Sequence, residues 1–162
     1  MTLMSPLRKM PSQRLVLLAA GGSAALLAAA LIFQALGYAP CHLCLLQRWP
    51  HVAAVAIGLV IWGLRLPMVT ALLGAAATAT TAVLGLYHSL VERHLIEGPS
   101  TCTSGGIGQQ SVDDLMAQIQ GAPLVQCDAI SWQMLGLTMA NLNAIFSIGL
   151  CGLWITAWLR AR

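Results

Sequence analysis

The sequence predicts an all-α membrane protein, a four-transmembrane-helix bundle with a long second outer loop that carries a short interfacial helix. Three observations lead there. First, 58% of the 162 residues are hydrophobic and only 8% charged, against roughly 45–50% and 25% in soluble domains. With a mean hydropathy of +0.79, five acidic residues could not coat a soluble surface. Second, the stretches 15–36, 67–90 and 135–159 hold no charge and reach the ~20 apolar residues that cross ~30 Å of hydrocarbon. Third, a shorter uncharged run at 52–64 becomes long enough only when its helix extends back through Pro50 and Arg48, giving a span at 43–64. The length fits one integral domain over 1–162. A scattered surplus of +3 is too weak for nucleic acid, which asks for a basic stripe with aromatic partners.

The spans are joined by a short loop at 37–42, a tight turn near Arg65, and a long loop at 91–133. Four crossings leave both termini on one side. Arg8, Lys9, Arg14, Arg65, Arg160 and Arg162 fall on that side, with only Arg48 and Arg93 towards the other. Basic residues near span ends mark the cytoplasmic side, so both termini are expected there. The N-terminus also resembles a cleaved signal peptide, but its apolar run is too long for one. The small residues Gly21, Gly22, Ala24, Ala25 and Ala28 on the first span, and Gly74, Ala75, Ala77, Thr78 and Thr81 on the third, suit close helix packing. In the long loop Val112, Leu115, Met116 and Ile119 recur at helical spacing behind Ser111, Asp113 and Asp114. That helix either lies on the membrane surface or packs onto the top of the bundle.

Cys41, Cys44, Cys102 and Cys127 then face the non-cytoplasmic side, where disulfides persist. Cys41-His42-Leu43-Cys44 opens the second helix, where free backbone N–H groups and the helix dipole favour a thiolate. Arg48 lies one turn beyond Cys44 on the same face. At membrane depth an arginine costs ~2.5–3.5 kcal/mol near the centre, which a thiolate or an anionic ligand offsets; the plainer reading is an arginine that snorkels to the headgroups. Haem attachment needs His directly after the second cysteine, and Leu45 stands there. Zinc on Cys41, His42, Cys44 and His51 lacks a second pair at matched spacing.

Cys102 and Cys127 form either a structural staple or a second, labile redox pair. Four cysteines allow three pairings. Cys151, in mid-span, reads as a small hydrophobe. His88 and Glu92, one turn apart, suit a proton relay, a ligand wall or a satisfied interfacial pair. Asn141 and Asn143 suit interhelical hydrogen bonds. Trp49, Trp62, Trp132, Trp154 and Trp158 suit interfacial anchoring.

Taken together, Pro40-Cys41-x-x-Cys44-x-x-x-Arg48, then Cys102 and Cys127, then Trp132-x-x-Leu135-Gly136-Leu137-x-Met139 resemble the DsbB family, disulfide bond formation protein B. The resemblance runs from the first span to the last. It implies a quinone-dependent oxidoreductase of the bacterial inner membrane, with both cysteine pairs facing the periplasm. Such proteins reoxidise a periplasmic DsbA-type thioredoxin-fold partner and pass the electrons to membrane quinone, ubiquinone or menaquinone, a relay that keeps the periplasm oxidising by kinetics rather than by a redox buffer. By matching position, Cys102 would form the mixed disulfide with the partner and Cys127 would be its bridge mate. Cys41 and Cys44 would receive the electrons, with the Cys44 thiolate engaging quinone and Arg48 against the quinone oxygens. The segment 87–92 departs from the family pattern, so the quinone-side histidine corresponds to His88 or to no residue here. Two other readings stand beside this one. A membrane metal-binding or scaffold protein would use the cysteines as ligands and staples, and a relative of vitamin K epoxide reductase would share the four-helix Cys-x-x-Cys design but brings family elements not visible here.

Overall fold

The computed structural model describes residues 11–99, 102 and 125–162. Within them the chain forms four long helices, α1 (Ser12–Ala35), α2 (His42–Leu64), α3 (Ala71–Glu92) and α4 (Met139–Leu159), with a two-stranded hairpin, β1 (Gln133–Met134) and β2 (Leu137–Thr138), ahead of α4. All four helices are long and apolar enough to cross a membrane. The loop helix expected around 111–119 lies outside the described residues.

Local chemistry sets the helix ends. After α1, Gly37 takes a positive φ of 99°, and Gly37 and Tyr38 donate backward to the carbonyls of Gln34 and Phe33, a Schellman closure that turns the chain over in a few residues. The Cys41 sulfur caps α2 by accepting from the Cys44 N–H at 3.2 Å. Pro50 sits inside α2 and removes one backbone donor; beside it, Thr81 of α3 donates to the Gln47 carbonyl at 3.1 Å. α3 follows a 3-10 turn at Met68–Thr70.

The fourth span, expected from residue 135, begins at Met139 instead. Leu135 and Gly136 both have positive φ, 52° and 79°, the conformation of a two-residue type I′ hairpin. The Trp132–Met139 motif is therefore a hairpin feeding a helix cap, not a first helical turn. Thr138 and Asn141 form a capping box on α4, and Arg93 donates to the Gly136 carbonyl at 2.9 Å and to Asn141 Oδ1 at 3.2 Å, which ties the hairpin to the end of α3.

The helices pack as a ring, α1 and α3 each lying between α2 and α4. Leu15, Val16, Ala54, Ile61, Ala75 and Trp154 centre an apolar core at the end that carries Arg65. Trp154 is fully buried there rather than at an interface, in space that Gly74 leaves free: a Cβ on Gly74 would collide with the indole, and one on Gly58 would collide with Ala20. Trp49 and Trp62, 72% and 59% exposed, stay on the outside of the ring.

Candidate redox site

The opposite end of the bundle is polar. Cys102 and Cys127 are joined, with S–S 2.10 Å and Cα–Cα 5.3 Å, whereas Cys41, Cys44 and Cys151 are free. The pairing left open by the sequence is thus Cys102 with Cys127. That bridge is fully buried and packs in one cluster with Cys41, Leu43 and Val91, with Cys44 at its edge. Both sulfur pairs therefore meet at the head of α2. Cys151 instead packs against the apolar core at the other end.

Cys41 Sγ donates to Cys44 Sγ at 2.8 Å. This bond and burial push the Cys41 thiol up from its ordinary range. His88 Nε2 lies 3.5 Å from Cys41 Sγ and 3.7 Å from Glu92 Oε1, and the Cys127 backbone also reaches the imidazole. Glu92 Oε2 is buried with no hydrogen-bond partner among the described residues.

Below the thiols a cavity of about 260 Å³ opens between α1, α2 and α4, close to the ~300 Å³ lower bound usual for small-molecule sites. Its polar wall includes Cys44, Gln47, Arg48, His51, His88, Glu92 and Asn143; its apolar wall includes Leu26, Ala30 and Phe146. Phe33 and Trp132 meet edge to face across it at 5.4 Å between centroids. Trp132, expected as an interfacial anchor, therefore contributes to the cavity wall. Arg48 shares the cavity with Cys44, as one helical turn requires, and donates to Gln34 Oε1 of α1 at 2.8 Å.

Sequence reasoning missed Gln47. It is 6% exposed, donates to the Leu43 carbonyl at 3.2 Å, contacts His88 Nδ1 at 3.0 Å and accepts from Asn143 Nδ2 at 2.7 Å. Asn143 Oδ1 in turn meets His51 Nε2 at 2.9 Å. The signal was available: an uncharged amide in an apolar span needs partners as surely as Asn143 does.

The zinc set weighed from the sequence is not assembled. His42 is exposed and His51 is committed to Asn143. Cys41, Cys44 and His88 do bring three ligand atoms within 4.8 Å of one another, one short of a closed tetrahedral site.

Fold and site together define a class, multi-pass membrane proteins that hold two cysteine pairs at one end of a four-helix bundle. The chain belongs to the DsbB family: the family described as "Disulfide bond formation protein DsbB" matches residues 12–157. It is a family of membrane thiol oxidoreductases. A relative in Rickettsia prowazekii (strain Madrid E), "Uncharacterized protein RP370", is 27% identical over 114 residues, covering 68% of this chain and 66% of the relative. The chain thus spans just under two thirds of that relative's length. No solved structure gives a significant match.

Proposed function

We propose that this protein reoxidises a DsbA-type thioredoxin-fold protein of the periplasm and passes the electrons, through Cys102–Cys127 and then Cys41–Cys44, to ubiquinone or menaquinone in the bacterial inner membrane. The observation that carries the reading is the position of the two pairs: the loop bridge packs on Cys41, while Cys44 borders a cavity that also holds Arg48. On this reading the loop pair meets the protein partner and the helix pair the lipid-soluble oxidant. Sidedness follows the basic residues: Arg65 ends α2 and Arg160 follows α4, at the end away from the cysteines, so that end is cytoplasmic.

The chemistry is successive thiol–disulfide exchange. A partner thiolate attacks Cys102, a partner–Cys102 bond forms and the Cys102–Cys127 bond breaks, with Cys127 leaving as a thiolate. The second partner thiolate then displaces Cys102, so the partner is oxidised and the loop pair reduced. By the same exchange the loop dithiol passes two electrons to the Cys41–Cys44 disulfide. Quinone, when bound, supplies the oxidising power by accepting two electrons and two protons. The residues of the cavity fit it: Arg48 and the polar wall would hold the polar ring, and Leu26, Ala30 and Phe146 would hold an apolar tail.

The test is turnover by purified protein: a reduced thioredoxin-fold dithiol and a soluble quinone should be converted to disulfide and quinol in equal amounts. No turnover with all four cysteines intact overturns the proposal. Stoichiometric zinc or copper held by Cys41 and Cys44 would favour the metal-binding reading instead.

A further inference from the structure

The polar groups beneath Cys41 form a chain whose direction can be worked out bond by bond. Thr81 spends its hydroxyl hydrogen on the Gln47 carbonyl, so towards Asn143, 3.1 Å away, Thr81 Oγ1 can only accept. That fixes Asn143 Nδ2 as the donor and Oδ1 as the acceptor. His51 Nε2 must then carry the hydrogen it shares with Asn143 Oδ1. At the next link the Leu43 carbonyl, an acceptor only, fixes the Gln47 amide in the same way. Gln47 Oε1 accepts from Asn143, and the second Nε2 hydrogen goes to His88 Nδ1. With a donor aimed at Nδ1, the neutral imidazole carries its hydrogen on Nε2, the atom 3.5 Å from Cys41 Sγ, where the Cys127 backbone and Glu92 Oε1 at 3.7 Å share it. Cys41 in turn donates to Cys44.

From this geometry we infer that Gln47, Asn143 and His51 are positioning residues: they hold His88 as a hydrogen-bond donor to Cys41, so that five donors, all pointing one way, end on and stabilise a thiolate at Cys44. Each bond in such a row polarises the next, most effectively where the surroundings are apolar. Gln47 is 6%, His51 3% and His88 3% exposed, so little of these three side chains meets bulk water. An imidazole without its Nε2 hydrogen would instead accept from Cys41 and turn that hydrogen away from Cys44. The inference deepens the proposed function, since it gives the cavity-facing sulfur its charge before any oxidant arrives. The other titratable groups around Cys44 are Arg48 from α2 and Glu92 from α3, with Tyr38 from the loop between α1 and α2.

Two readouts test it on the full-length, fully reduced protein, without quinone or partner. Nitrogen-15 NMR of labelled histidine should show His88 as the Nε2–H tautomer, and iodoacetamide capture of Cys44 against pH, resolved by peptide mass spectrometry, gives the thiolate fraction. Gln47→Met removes the donor without adding charge and should lower the Cys44 thiolate fraction at pH 7 by about tenfold. Gln47→Glu, nearly isosteric, should convert His88 to the Nδ1–H tautomer. An Nδ1–H signal in the wild type, an unchanged Cys44 profile in folded Gln47→Met, or an unchanged tautomer in Gln47→Glu each overturns the inference. Absent quinone turnover with these readouts as expected would overturn the proposed function alone.

Discussion

The two ends of the bundle are built from the same four helices by opposite rules. At the Arg65 end, Ala, Gly and Leu let the backbones close on one indole, and the core is apolar apart from the indole N–H, which has no hydrogen-bond partner among the described residues. At the cysteine end, Gln47, Thr81, His88, Glu92 and Asn143 are gathered between helices, and each buried polar group must find a bond or cost free energy. Packing thus holds the bundle together at one end and directs hydrogen bonds at the other. The consequence is that mutations should separate cleanly by end into those that lower stability and those that lower chemistry.

The largest separation is expected for Cys44→Ser, which removes the sulfur at the cavity. Quinone reduction should fall by at least about 10³-fold, as for loss of other nucleophiles, while thermal unfolding changes little; Cys102→Ser should abolish partner oxidation yet leave the cavity sulfur reactive. At the other end, Trp154→Ala empties the core and should cost about 3–5 kcal/mol. Unfolding in detergent measures that loss, and iodoacetamide capture of Cys44 in the folded fraction should stay at the wild-type rate. If it moves, the two ends are not independent. Arg48→Lys keeps the charge but loses the planar fork and its bond to Gln34, so the quinone KM should rise about tenfold, ~1.4 kcal/mol, with kcat for partner oxidation at saturating quinone nearly unchanged. The smallest effect is expected for Arg93→Gln, which loosens the hairpin from α3. It should cost about 1 kcal/mol, seen as faster hydrogen exchange at Leu137 and Thr138.

Most of the fold was legible because apolar length is a strong signal: four spans follow from hydropathy, and the small residues of α3 mark its packed face. The start of α4 was misplaced because an apolar run cannot distinguish Leu135 in a hairpin turn from Leu135 in a helix; only the paired positive φ of Leu135 and Gly136 does so. Trp154 was misread for a related reason. A tryptophan near a span end is equally at home in headgroups or against a glycine, and Gly74 lies on another helix. That Cys44 and Arg48 share one face was readable from their spacing along one helix. An amide in an apolar span marks Gln47 as needing partners, but which ones, Leu43 on its own helix, His88 on α3 and Asn143 on α4, is settled only when the helices assemble.

The Cys102–Cys127 bond links residues 25 apart in sequence, and closing a ring of that size stabilises a fold by roughly 3 kcal/mol in the chain-entropy view. On the proposed cycle this tether opens and reseals with every turnover. A chain deprived of its electron acceptor would accumulate in the opened form, the easier one for proteases to unravel. Cellular lifetime would then follow respiratory supply, which a comparison of melting temperatures for the oxidised and reduced protein can check.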